Sequence, residues 1–186
     1  MNFKETREIV ISELQNVFEN IDPSQVEKMA EMICESEKVF VVGVGRVLLM
    51  MQAFEKRLNH LGIDSYYVGE INEPAITDKD LLIVGSGSGE SVVPVALVKV
   101  ASKFNPRIIH IGSNPQSSMT PYEDLFVRIP CTTKLNLEDE IKSRQIMSSL
   151  FEQSLLLLAD MTAMLIADRK NITDLHSLWR KHANLE

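Results

Sequence analysis

Cysteine is scarce: Cys34 and Cys131 are the only two in 186 residues, and they offer no metal-ligand spacing. Basic clusters are missing too. With 19 Lys and Arg against 26 Asp and Glu the formal charge is −7, and no Lys/Arg block offsets the acidic surplus. This argues against a nucleic-acid or anionic-membrane partner, so a bound anion must be held by local donors rather than by a general positive field. The first residues, MNFKETREIV, lack the basic-then-apolar pattern of a secretory signal, and a cytoplasmic protein is expected. The one long apolar run, Leu155 to Ile166, is broken by Asp160 and Thr162 and falls short of the roughly 20 residues that cross a bilayer. No two-residue hairpin signal joins the apolar runs, which points away from an antiparallel sheet.

What is present suits one domain, residues 1–186: 45% of the chain is hydrophobic and 24% charged. Its expected parts are N-terminal helices over 1–36, a sheet core over 37–130, and C-terminal helices and tail over 143–186. Val10, Leu14, Val17, Phe18 and Ile21 fall at helical spacing, and Asp22-Pro23-Ser24-Gln25 reads as the capped start of a second helix. Short apolar runs then alternate with helical patterns. Strands are expected at Lys38–Val42, Ile63–Val68, Leu81–Val84, Arg107–Ile111 and Leu125–Ile129. Helices are expected at about 47–61 and 90–104, then a long one from about Ser143 to Arg169 and a last one over 173–182. The reading is a doubly wound α/β domain with a five-stranded parallel sheet, order 2-1-3-4-5, flanked by helices on both faces. Because the long helix is apolar nearly all round from Leu155 to Ile166, a partner subunit is expected to cover part of it.

The densest signal is Leu81 to Ser91, LLIVGSGSGES. A buried strand ends in Gly85-Ser86-Gly87-Ser88-Gly89 and opens into a helix, which aims unpaired backbone N–H groups and a helix dipole at one point. That geometry invites an anion. Ser86, Gly87, Ser88 and Ser91 are the candidate phosphate contacts, by hydroxyl and by backbone. The first strand ends in a similar turn, Gly43-Val44-Gly45-Arg46, and in the order 2-1-3-4-5 both turns face one crevice. Neither turn completes G-x-G-x-x-G, and the hydroxyl-rich second turn suits a terminal phosphate better than a dinucleotide.

Several stretches together resemble the SIS (sugar isomerase) domain proteins, and among them the 6-phospho-3-hexuloisomerases. The carrying residues are LLIVGSGSGES itself, Gly43-Val44-Gly45-Arg46, Arg57-Leu58-Asn59-His60-Leu61-Gly62, Val68-Gly69-Glu70, Asn114-Pro115-Gln116-Ser117-Ser118, Ser149-Leu150-Phe151-Glu152-Gln153 and the ending His182-Ala183-Asn184-Leu185-Glu186. Two departures fall beside the expected site. Members usually continue the first turn as Gly-Arg-Ser-Gly, whereas Arg46 is followed here by Val47 and Leu48. They also favour Gln-Pro-Met-Gly where this chain has Gln145-Ile146-Met147-Ser148.

The resemblance implies a flavodoxin-like fold, a tetramer with sites at subunit interfaces, and a phosphorylated sugar as substrate. The implied reaction interconverts a 3-hexulose 6-phosphate and fructose 6-phosphate. A carbonyl moves between C3 and C2 through a cis-enediol, chemistry that calls for neither metal nor redox cofactor. Glu152, a carboxylate on an otherwise apolar helix, is the implied base. His182 and His60 compete for the second acid/base role, and Gly45 and Arg46 are expected to contact substrate. The rival expectation is an SIS-type phosphosugar sensor that binds without turnover, which Val47 in place of serine would favour. With only two short helices ahead of the first strand, a transcriptional regulator is disfavoured.

Overall fold

Four consecutive apolar residues in β1 (Val39–Val42) divide between two cores: Val39 and Val41 face one side of the sheet, Phe40 and Val42 the other. The same division runs through β3 (Leu81–Gly85) and β4 (Arg107–Gly112), as expected of strands covered on both faces. With β2 (Ser65–Tyr67) and β5 (Leu125–Arg128) they form a parallel sheet in the order β2-β1-β3-β4-β5. The structure is a computed structural model that describes residues 1–185; Glu186, the last residue of the HANLE ending, lies outside the described residues.

The two faces carry unequal loads. Helices α1 (Phe3–Glu19), α2 (Pro23–Glu35), α3 (Gly45–His60) and α5 (Ser149–Arg169) share one core, while α4 (Val92–Ala101) stands almost alone on the other. Short 3₁₀ turns follow α4 at Ser102–Phe104 and α5 at Leu175–Lys181, the second occupying most of the expected last helix. At 21 residues α5 is long and apolar enough to cross a membrane by length and composition. Here it is a core helix. Leu150, Phe151, Leu155, Leu158 and Ile166 are buried against α1, α2 and α3, each worth about 1.5–3 kcal/mol. Its outer side leaves Leu157, Met161, Met164 and Leu165 partly exposed.

The long helix starts later than expected. Residues 143–148 are not helical, Ile146 and Met147 are exposed, and Met147 takes φ +52°. The cause is a tertiary tie. Glu13 on α1 accepts from the Ser143 hydroxyl (2.6 Å), the Arg144 N–H (2.8 Å) and the Gln145 amide (3.0 Å), pulling the segment onto α1.

Candidate active site

Three helices point their N-termini at one place. Val44, Val47, Gly85 to Ser88, Ser91, Thr133, Lys134, Ser148, Phe151 and Glu152 line a cavity of about 160 Å³ outside the carboxyl ends of β1 and β3. These residues include the first turns, or the residues just before them, of α3, α4 and α5. Among the described residues, none of the three helices has a side-chain cap hydrogen bond. Away from the cavity the pattern reverses: Asn2 caps α1 and Asp22 caps α2. Helix ends normally satisfy their free N–H groups with such caps, so the three bare ends leave donors and partial positive charge for an anion.

The serine-rich turn is held from behind. The Ser86 carbonyl accepts from the Gly89 N–H (3.1 Å), the Gly87 carbonyl from the Ser113 and Asn114 N–H groups (2.8 and 3.3 Å), and the Ser88 carbonyl from the Asn114 side-chain amide (3.2 Å). With these carbonyls tied outward, the Gly87 and Ser88 N–H groups have no acceptor among the described residues. The Ser86 hydroxyl is buried without a hydrogen-bond partner among the described residues. Unused buried donors are costly, about 1–3 kcal/mol each, unless a ligand takes them.

Glu152 sits on the first turn of α5, 8% exposed, and accepts from the Arg46 guanidinium on the first turn of α3. The contact spans 106 positions in sequence and gives the buried carboxylate a counter-charge. Gly45 opens α3 beside it. Ser86, Gly87, Ser88, Ser91, Arg46 and Glu152 are therefore brought together, as the sequence implied. Val47 lines the same cavity and presents an apolar wall to it.

His60 and His182 are brought together too, but elsewhere. His60 is 14 residues beyond Arg46 on α3, about 21 Å along the helix. Its ring stacks on His182 with centroids 5.5 Å apart, and Trp179 packs against His182 at 5.2 Å. Burial, then the charges of Arg57 and Lys56 and the neighbouring His182, hold the His60 imidazole below its ordinary range. Its Nε2 is buried with no hydrogen-bond partner among the described residues. Within one chain this pair does not reach Glu152.

Thr133 and Lys134 were not among the expected residues. They reach the cavity because the 131–141 loop folds back, with a Cys131–Ile141 bridge and the Glu140 carboxylate accepting from the Thr133 N–H (3.2 Å) and hydroxyl (2.8 Å). Lys134 brings a cation to the rim of an otherwise neutral cradle. No motif marks either residue, and their signal is tertiary.

If the turn is a phosphate cradle, Ser86→Ala combined with Ser88→Ala weakens binding of fructose 6-phosphate by about tenfold or more, since each net hydrogen bond contributes about 0.5–1.5 kcal/mol. Titration calorimetry measures it. Unchanged affinity removes the hydroxyls from recognition.

The SIS domain family model matches residues 32–158. The chain is 34% identical over 177 residues to a 3-hexulose-6-phosphate isomerase from Bacillus subtilis, covering 95% of each. It is 35% identical over 178 residues to one from Mycobacterium gastri, covering 96% of this chain and 88% of that one. Among solved structures, a Methanococcus jannaschii protein, whose structure was used to infer a 3-hexulose-6-phosphate isomerase function, superposes with a TM-score of 0.83 at 28% identity, over 98% of this chain and 99% of that one. With two glycine-ended strands adjacent, three bare helix ends converging on a hydroxyl-lined cavity, and relatives aligned along almost its whole length, this chain belongs to the SIS domain family, on the branch of the 3-hexulose-6-phosphate isomerases.

Proposed function

We propose that the protein isomerises a phosphorylated sugar, interconverting a 3-hexulose 6-phosphate and fructose 6-phosphate. One observation carries the reading: a buried carboxylate, Glu152, forms the wall of a cavity whose other side is an anion cradle. The cradle grips the phosphate through Ser86, Gly87, Ser88 and Ser91. Glu152 takes the proton from C3 of fructose 6-phosphate, the C3–H pair forms the C2–C3 double bond, the C2 carbonyl π pair moves onto O2, O2 takes a proton from the second acid/base, and a cis-enediol forms. Return of the proton to C2, with loss of the hydroxyl proton at O3, leaves the carbonyl at C3. Arg46 stabilises the charge that develops on the enediolate oxygens.

The second acid/base comes from His182, with His60 beside it, on a neighbouring copy in a homotetramer. Two features support this: the histidine pair stands at the far end of α3, and the outer side of α5 offers Leu157, Met161, Met164 and Leu165 for burial between subunits. The reaction needs no metal, and its setting is the cytoplasm, where Cys34 and Cys131 stay as free thiols.

The experiment is incubation with fructose 6-phosphate in deuterated water, read by NMR. Deuterium at C3 is the expected result. Exchange at C1 instead assigns a 1,2-enediol and a different isomerisation. Binding without exchange at either carbon supports the sensor reading, for which the apolar Val47 wall is the favouring feature.

A further inference from the structure

β4 carries a histidine that the proposed chemistry does not use. His110 is 0% exposed, lies under the serine-rich turn, and packs against the Phe126 ring at 5.1 Å between centroids. Its Nε2 is 2.9 Å from the Ser86 carbonyl oxygen, and its Nδ1 is 3.0 Å from a carboxylate oxygen of Glu123. A carbonyl has no proton to give. Nε2 is therefore the donor whatever the protonation state of the pair, and the remaining proton lies between Nδ1 and the carboxylate.

The surroundings are shaped to this ring. A Cβ at Gly112 would stand 2.6 Å from Nε2, so that glycine leaves space the imidazole fills; at Gly89 a Cβ would meet Ser117 first, at 2.3 Å, with Cε1 at 3.0 Å. Gly89 takes φ +67°, and its N–H shares the Ser86 carbonyl with the histidine. Glu90, the other carboxylate near the ring, is committed elsewhere. It accepts from the Ser118 N–H (2.8 Å) and hydroxyl (2.6 Å), leaving Glu123 as the partner that orients the imidazole.

We propose that His110 and Glu123 are positioning residues of the phosphate site: Nε2–H pins the Ser86 carbonyl behind the turn, and so aims the Ser86 hydroxyl and the Gly87 and Ser88 N–H groups at the phosphate. This rests on the reading of the cavity as a phosphosugar site. A carbonyl held by one donor can rotate its peptide plane; held by two from behind, it cannot, and the adjoining Gly87 N–H keeps its outward aim.

The test has three readings. In the wild-type protein, ¹⁵N NMR of the histidine ring shows His110 protonated at Nε2, and the Nδ1 resonance moves in Glu123→Gln. His110→Phe, which keeps a ring and loses the donor, raises the Kd for inorganic phosphate and the KM for fructose 6-phosphate by about tenfold, with kcat little changed. His110→Gln, whose amide can donate, recovers part of the loss. An unprotonated Nε2 overturns the proposal, as does wild-type phosphate affinity in His110→Phe or a loss confined to kcat. Should His110→Phe not fold, the NMR readings on wild type and Glu123→Gln decide. Neither the tautomer nor the phosphate titration depends on which sugar is isomerised, so absence of C3 exchange would sink the proposed function and leave this inference separately judged.

Discussion

Glu152→Gln lowers turnover by roughly 10²–10⁴ and leaves the fold intact, the range expected when a positioned acid/base group is lost from a proton transfer. The substitution keeps the shape of the side chain and its place on the first turn of α5. It removes the negative charge and with it the capacity to take a proton from carbon. Arg46 loses its counter-charge, but that side chain is 64% exposed, so the guanidinium turns to water and little stability is lost. The informative comparison is therefore isotopic exchange at C3 against the melting temperature. A variant with a wild-type melt and 10²-fold slower exchange is the expected outcome. Exchange at the wild-type rate would take Glu152 out of the mechanism and leave the cradle without a chemical partner.

Asp80→Ala destabilises the protein by about 3–5 kcal/mol, the range seen when one member of a buried pair is removed. Asp80 is 0% exposed at the amino end of β3. One carboxylate oxygen accepts from the Lys38 N–H (3.1 Å) and faces the Lys38 ammonium (3.0 Å); the other accepts from the Thr77 N–H (2.7 Å) and hydroxyl (2.8 Å). Burial alone would raise this carboxyl, yet the hydrogen bonds from Lys38 and Thr77 and the Lys38 charge together hold it below its ordinary value of 3.8. A depressed carboxylate contributes its full stabilisation above that ordinary value and loses it as pH falls through the folded-state value. Wild type therefore loses this share of its stability only below about pH 4, while Asp80→Ala lacks it already at pH 7. Urea denaturation at pH 7 and at pH 3 measures both. Equal midpoints for the two proteins at pH 7 would refute the assignment. The loss is large because domains of this kind hold only about 5–15 kcal/mol in all.

The sheet and the two turns were legible because their signal is local. LLIVG and VFVV are each too short and too apolar for anything but a buried strand, and the glycines after them mark where the chain reverses. Glu152 and Arg46 could be nominated only by resemblance; that they touch depends on α3 and α5 packing side by side. Over 143–148 the helical spacing of Ile146, Met147 and Leu150 predicts a helix, while the force that unwinds the segment comes from Glu13, more than a hundred residues away. Lys134 and Thr133 carry no periodic or motif signal at all. His60 and His182 looked like rivals for one role, yet the structure stacks them as a pair, a relation that no spacing between positions 60 and 182 could show. His110 carries no signal of its own inside RIIHI, since the partners of a buried strand histidine come from other parts of the chain.

The three bare helix ends divide the labour of recognition. They can feel only the charged handle of a ligand, which every sugar phosphate shares, and they are built from backbone that side-chain replacement barely alters. On the proposed reading, discrimination among sugars then falls to the rim of side chains that two of those ends carry, Arg46 and Val47 on α3 and Glu152 on α5. A lineage could exchange one sugar for another, or trade turnover for sensing, by editing that rim while the grip beneath it stays as it was.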